Sequence, residues 1–281
     1  MIFRADTDQH ESSLAVVLES SMFKALEMQE YAGNRLLWSL SEEERARLRP
    51  SMKHVTLALG QVVYECGERI DYVYFPTTCV VSLLYTMRDG STAEMALAGN
   101  DGVVGIALFL GGGNIPHRAV AQIGGLALKI PARVLQEEFT RGGPLQHILL
   151  LYTQALITQI SQTAVCNRLH PLEQRLCRWL LLCHDRLNGS EIPMTQEIIA
   201  NMLGGRRESV TVAAGRLQDA GLIHYSRGHI KVLDREGLET MVCECYKIVD
   251  DELNRLVGAP QRSELSISKR APCREADGEA L

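Results

Sequence analysis

From residue 34 onward the spacing of apolar positions changes twice, and the changes divide the chain. Ser41 followed by Glu44 in SEEERARL has the spacing of a capping box, opening a short helix after NRLLWSL. Beyond Pro50 the period becomes two. Val55, Leu57 and Leu59 alternate, and short runs VVYECGE, VYFP, VVSLLYTM, TAEMALA, AVAQIGG and LALKI follow, separated by Gly, Pro and Asp-Gly turns such as RDGS at 88–91. About seven or eight strands so short and so evenly punctuated predict a β barrel or sandwich. No period of about 20–50 residues recurs, which sets aside solenoids and propellers.

After Ile130 the period turns helical. ARVLQEEF forms one short helix, Gly142-Gly143 interrupts it, and a long helix runs over 144–170. Leu145, Leu149, Tyr152, Leu156, Gln159, Thr163 and Cys166 alternate along it in steps of four and three, a heptad seam suited to a second copy of the chain. A stripe at Ile148, Leu151 and Ala155 would then lie back against the strands; the core helix of a monomer is the plainer reading. Pro171 starts a new helix, LEQRLCRWLLLCHDRL, that ends at an Asn188-Gly189 turn. Upstream of residue 34, SLAVVLESSMFKALEMQ has the pattern of a short helix.

Residues 195–217, TQEIIANMLGGRRESVTVAAGRL, hold two helical patterns joined by Gly204-Gly205. Thr195 can cap the first, which buries Ile198, Ile199, Met202 and Leu203. The second buries Val210, Ala213, Ala214 and Leu217 and turns Arg206, Arg207, Glu208, Thr211, Val212 and Gly215 outward. Two helices so joined make a helix-turn-helix, whose second member enters the DNA major groove with its N-terminal half foremost. An arginine there can pair with guanine O6 and N7, a glutamate can accept from cytosine N4, and Val or Thr can touch a thymine methyl. After Gly221, LIHYSRGHIKVLD gives two short strands around Ser226-Arg227-Gly228, a wing whose Arg227, His229 and Lys231 reach phosphates.

The chain has 281 residues, 46% hydrophobic and 22% charged, enough for about two cored domains and too apolar for a disordered chain. Its apolar runs are broken by polar residues short of the ~18 a membrane span needs, and MIFRADTDQHESS lacks the basic-then-apolar layout of a targeting leader. A soluble, cytoplasmic chain without membrane association is expected. Eight cysteines with no CxxC pair and no regular spacing suit reduced thiols. A net charge of −5 argues against nucleic acid only if charge is spread evenly. It is not: 1–170 and 237–281 each carry −3 and 171–236 carries +1, while 204–231 reaches +3 through Arg206, Arg207, Arg216, Arg227 and Lys231 against Glu208 and Asp219. Only a contact face must neutralise phosphates. A solvated helix face has the same composition.

Over 34–258 the sequence resembles the cyclic-AMP receptor and fumarate-nitrate regulator (Crp/Fnr) family of bacterial transcription factors, on LGQVVYECGE and VYFP, the long helix, and a winged segment ending in DREGLE. Thr195, Glu197, Gly204, Arg207, Glu208, Val210 and 217–223 fit the family's DNA-binding pattern, and RESV at 207–210 is similar to its Arg-Glu-Thr-Val. The resemblance implies an α+β fold. An N-terminal extension (1–33) would precede a β-roll sensor of the cyclic-nucleotide-binding, double-stranded jelly-roll kind (34–135), a dimerisation helix (136–170), a C-terminal winged helix-turn-helix (171–258) and a disordered tail (259–281). It further implies a homodimer on an inverted repeat in double-stranded DNA, in contact with RNA polymerase. At the DNA would stand Arg206, Arg207, Glu208, Ser209, Thr211, Val212, Arg227, His229 and Lys231. Arg207 and Glu208 would read bases, and Ser209 would reach a phosphate or base. Val212 occupies the place of a second arginine common in the family, so the target differs at the base pair that arginine would read.

In members that bind cyclic nucleotides, a Gly-Glu pair holds the ribose and an Arg-Ser or Arg-Thr pair the phosphate; here those places read Gly105-Ile106 and Arg118-Ala119. Isoleucine accepts no hydrogen bond and alanine donates none, so cyclic nucleotide is not the expected effector. Arg118 is left as a lone anion ligand or as a surface arginine. No cofactor is implied, and no histidine spacing favours haem. The glycines at 111–113 lack a following Lys-Ser/Thr and read as a hairpin tip. The first 65 residues hold no cysteine, against an N-terminal iron–sulfur cluster. Cys166 and His170 lie one helical turn apart, and Cys243 and Cys245 flank Glu244. Brought together these would suit a metal or a redox pair; buried structural thiols are the default, so no metal is assigned. Cys273 falls in the polar tail. HExxH, GxSxG and Walker-type loops are missing, and Asp101 in GNDGVVG reads as a turn aspartate, so no enzyme is expected. The alternative is a ligand-binding signalling or scaffold module whose winged helix contacts protein.

Overall fold

The computed structural model describes residues 33–187, 189 and 191–258. The helix expected upstream, Asn188 of the expected turn, and the tail with Cys273 lie outside the described residues. Helix α1 (Arg35–Trp38) is capped by Asn34, whose amide donates to the carbonyls of Pro76 and Gly102 at 2.8 and 2.9 Å. Helix α2 (Glu42–Leu48) has the predicted capping box. Its Glu44 is 2% exposed and also accepts the Leu145 N–H at 2.8 Å. The cap therefore satisfies a free donor at the start of a second, distant helix.

Strands β1 (Lys53–Leu57), β2 (Val62–Tyr64), β3 (Tyr72–Pro76), β4 (Val80–Thr86), β5 (Thr92–Ala98), β6 (Arg118–Ile123) and β7 (Gly125–Pro131) form two antiparallel sheets, ordered β1-β7-β3 and β2-β6-β4-β5. Alternation puts Val73 and Phe75 of β3 and Leu128 and Ile130 of β7 on the inner face, fully buried. This is the expected jelly roll. Along β4 alternation fails, because residues 80–84 are all buried. A strand reads that way when both faces are covered.

The covering layer is the C-terminal half. Helix α3 (Ala132–Arg141) ends at Gly142-Gly143, both at positive φ, and α4 (Pro144–Leu169) follows. Then come α5 (Leu172–Arg186), β8 (Glu191–Pro193), α6 (Gln196–Leu203), α7 (Arg207–Asp219), β9 (Ile223–Ser226), β10 (His229–Val232), α8 (Arg235–Met241) and α9 (Cys245–Val257). Val80, Leu97 and Ile123 of the roll join Leu180, Leu217 and Ile230 in one core, so the two halves share apolar packing.

Helix α4 departs from its sequence reading. The seam assigned to a partner is used inside the chain: Leu145, Leu149, Tyr152 and Leu156 pack into the roll's core together with Leu253 and Val257 of α9, and Cys166 is buried beside Cys243. The stripe of Ile148 and Ala155 is buried with them, leaving Leu151 half-buried. The outward face carries Leu150, Ile157, Val165 and Leu169, 43 to 68% exposed. By length and composition alone the helix is long and apolar enough to cross a membrane. Its inner face is instead consumed by packing within the chain.

Candidate nucleic-acid interface

The two helices of the motif are set by their caps. Thr195 Oγ1 accepts the Ile198 N–H at 3.3 Å and opens α6. Gly204 closes it in the left-handed region, φ 58 and ψ 38, where a side chain is strained. A Cβ on Gly205 would sit 3.3 Å from Leu172, so the second glycine lets the turn approach α5. Helix α7 then buries Val210, Ala213, Ala214 and Leu217 as predicted. On α6, Ile198 is only half-buried and Ala200 takes an inner place beside Ile199, Met202 and Leu203.

Arg206, Arg207, Glu208, Ser209 and Thr211 are exposed, and Val212 is 56% exposed. No side chain caps the N-terminus of α7. Its free N–H groups and the positive end of its dipole therefore face the same surface as the two arginines. The Thr211 hydroxyl lies 2.9 Å from Gln196 Oε1 and 3.0 Å from the Arg207 carbonyl. Its single proton is engaged within the motif, so its methyl is what it presents. Gln196, which the sequence did not single out, thus ties the first helix to the second. Arg216 is turned toward α5, 3.2 Å from Glu173.

The wing is the β9–β10 hairpin, with Ser226 opposite His229. Its two-residue turn has Arg227 at φ 49 and Gly228 at φ 79, the left-handed pair of a type I′ hairpin. Arg227 and Lys231 are exposed. His229 Nδ1 is 3.1 Å from Glu191 Oε1, so a carboxylate already competes for it. Glu191 belongs to β8, which pairs with β10 and has a single buried apolar residue, Ile192. An element that short gives no periodic signal.

In the roll, Gly105 has φ 110, while Ile106 and Ala119 are buried. Arg118 Nε is 3.1 Å from Glu65 Oε1, just past the end of β2. The Tyr64 hydroxyl donates to the Tyr72 carbonyl, its ring meets Tyr74 edge-on at 5.7 Å, and burial pushes its pKa up. The glycines 111–113 link a 3-10 turn, Ile106–Leu110, to β6 and do not join two paired strands.

Between roll and winged domain stands a buried ion pair. Arg186 meets Asp101 with both ends of its fork, at 3.1 and 2.7 Å, and both side chains are under 8% exposed. Asp101 also accepts the Gly99 N–H, so the turn aspartate serves as an anchor. Nearby, Glu94 of β5 accepts from Ser82 at 2.5 Å, and burial pushes its carboxyl up to about 7. Glu94, Arg178, Trp179, Gln159 and Cys166 line one small cavity at this junction. Cys166, His170, Cys243 and Cys245 converge beside it.

Profiles of two known domains match the chain: the cyclic nucleotide-binding domain over 54–141 and the Crp-like helix-turn-helix domain over 174–241. No curated protein matches it. Among solved structures it is similar to FixK2 of Bradyrhizobium japonicum, at 19% identity and a TM-score of 0.59, over 68% of this chain and 98% of that one. It is similar also to the c-di-GMP-responsive global regulator CLP of Xanthomonas campestris, at 15% identity and a TM-score of 0.54, over 68% and 99% of the chains. A transcriptional regulator of the CRP/FNR family from Thermus thermophilus matches at 21% identity and a TM-score of 0.52, over 67% and 97%. At such identities the likeness establishes the fold, with roll, long helix and helix-turn-helix in the same order.

Proposed function

We propose, since the chain belongs to the Crp/Fnr family of transcription regulators, that it recognises an inverted repeat in double-stranded DNA as a homodimer. The observation that carries this reading is the exposed, uncapped first turn of α7, with Arg206, Arg207, Glu208 and Ser209 beside a basic wing. Arg207 and Glu208 read base edges, Val212 and the Thr211 methyl contact thymine, and Ser209, Arg227, His229 and Lys231 fix the register on phosphates. The second copy docks on the outward face of α4 at Leu150, Ile157, Val165 and Leu169. Two readers then lie about 34 Å apart, one helical turn of DNA.

The reading extends to the sensor, residues 34–135. Cyclic nucleotide is not its ligand, because Ile106 and Ala119 supply no polar group and the Glu65 carboxylate holds Arg118, the one anion ligand left. Signal reaches the DNA through the packing of the roll on the winged domain, and the complex acts with RNA polymerase in the cytoplasm without chemistry of its own. Selection of bound sequences from random DNA at fixed salt, followed by titration of the selected site over a salt series, tests this. Enrichment of a palindrome whose affinity falls steeply with salt is expected. No enrichment at low salt overturns it in favour of a scaffold whose winged helix binds protein.

A further inference from the structure

Cys166 and His170 stand on the last turn and the C-cap of α4, and Cys243 and Cys245 flank Glu244, Cys243 in the link from α8 and Cys245 as the first residue of α9. Although the pairs lie 77 and 75 positions apart in sequence, Cys166 Sγ is 3.6 Å from Cys243 Sγ, and Cys245 Sγ is 3.5 Å from His170 Nδ1. All four ligand atoms lie within 4.8 Å of one another, and the three thiols are buried. Bonds of about 2.3 Å to sulfur set the edge of a zinc tetrahedron at about 3.7 Å. The Cys166–Cys243 and Cys245–His170 separations match that edge, whereas a disulfide requires about 2.05 Å.

We propose that Cys166, His170, Cys243 and Cys245 form a closed, structural Cys3His zinc site that fastens the C-terminal helices to the end of α4. Four protein ligands leave no open position for catalysis, which fits a tetrahedral d10 ion in a structural role. Three further observations support it. His170 turns Nδ1 toward the thiols and Nε2 toward the Glu244 carboxylate at 3.4 Å, the outer-shell carboxylate that orients a metal-bound imidazole. Arg178, 8% exposed, lines the same cavity as Cys166, hydrogen-bonds the neutral Thr163 hydroxyl at 2.6 Å and has a partnerless Nε. Three thiolates around one divalent ion carry a net negative charge, which adds to Glu94 as counter-charge for that buried guanidinium. Finally, the cysteines form a small core of their own, with Val242 as the one partly buried hydrophobic packed on it. That cluster by itself offers little apolar surface at the end of α4, where a metal would add cohesion to the packing that Leu253 and Val257 supply further along. Binding converts three thiols to thiolates and releases three protons to solvent.

The test uses the full-length protein purified under reductant with zinc in the medium. One zinc per chain is expected by elemental analysis, retained in Cys66→Ser, whose thiol is exposed and lies beside Pro116 outside the cluster, and lost in Cys243→Ser. Cobalt exchanged for zinc is expected to show thiolate-to-metal charge transfer and the strong visible bands of tetrahedral cobalt. Should Cys243→Ser not fold, Glu244→Gln serves, because that side chain is 71% exposed; it is expected to weaken metal affinity about 10–100-fold. Protein that stays metal-free yet folded, cobalt without a thiolate band, iron with inorganic sulfide in place of zinc, or undiminished zinc in both variants would each overturn the assignment.

Discussion

Arg207 leaves the first turn of α7 with no ion pair holding it among the described residues, and a bidentate match to guanine is the most specific contact its fork can make. Replacing it by alanine is expected to cost about 1–3 kcal/mol on the cognate site and to relax the choice at one base pair. Arg227, in the wing turn, is assigned to backbone phosphate in the proposed complex; on that reading Arg227→Ala should weaken every sequence alike and lower the salt slope by about one. Mobility-shift titrations of both variants on cognate and scrambled sites separate the two roles. Unchanged cognate affinity in Arg207→Ala removes α7 as the reader. His229 differs from Arg227 although the sequence placed them together, because Glu191 sits 3.1 Å away on a strand too short to be read from its pattern.

Among the elements, α4 shows how far periodicity carries and where it stops. A heptad pattern reports that a stripe is apolar, and its inner partner is decided by whatever element arrives. Helix α9 arrives here, bringing Leu253 and Val257, and takes the stripe from Leu145 to Leu156. The outward face at Leu150, Ile157, Val165 and Leu169 stays exposed, and it is where the proposed second copy docks. Ile157→Glu is therefore expected to shift the protein from dimer to monomer in light scattering, with little change in its unfolding midpoint, while a seam substitution such as Leu149→Ala should cost about 2–5 kcal/mol of stability, since Leu149 is 1% exposed. A dimer that persists in Ile157→Glu puts the interface elsewhere. The capping box of α2, the Gly204 turn, the inner face of α7 and the wing were all legible, because each is fixed by local chemistry within a few residues. The convergence of Cys166 with Cys243 was not, since it depends on how α8 and α9 return to the end of α4, and no local pattern encodes that path.

For the molecule as a whole, the junction between roll and winged domain is both apolar and charged, and the charge makes it sensitive to pH. Glu94, with Arg178, Trp179, Arg186 and Cys183 around it, has its carboxyl pushed up to about 7 by burial. Between the ordinary value of 4.5 and about 7 the folded protein binds more protons than the unfolded chain. Stability contributed by this group is thus complete below that window and is lost as pH rises through it, by at most about 3 kcal/mol. Unfolding midpoints measured from pH 4.5 to 8 should fall more steeply for the parent protein than for Glu94→Gln; equal slopes would refer the pH dependence to other groups. Asp101 and Arg186 add a second constraint at the same junction: removing either partner strands a charge where little water reaches it, at about 3–5 kcal/mol.

Val80, Leu97 and Ile123 have a further consequence. They are encoded in the roll yet sit in the interior of the reader. Cut out by itself, the reader would bare the sticky underside they cover, and a chimera that grafts it onto a foreign sensor would have to carry those side chains along. The two halves are inherited as a pair: evolution can retune the surface of either one freely, and can exchange neither without rebuilding the seat on which the other rests.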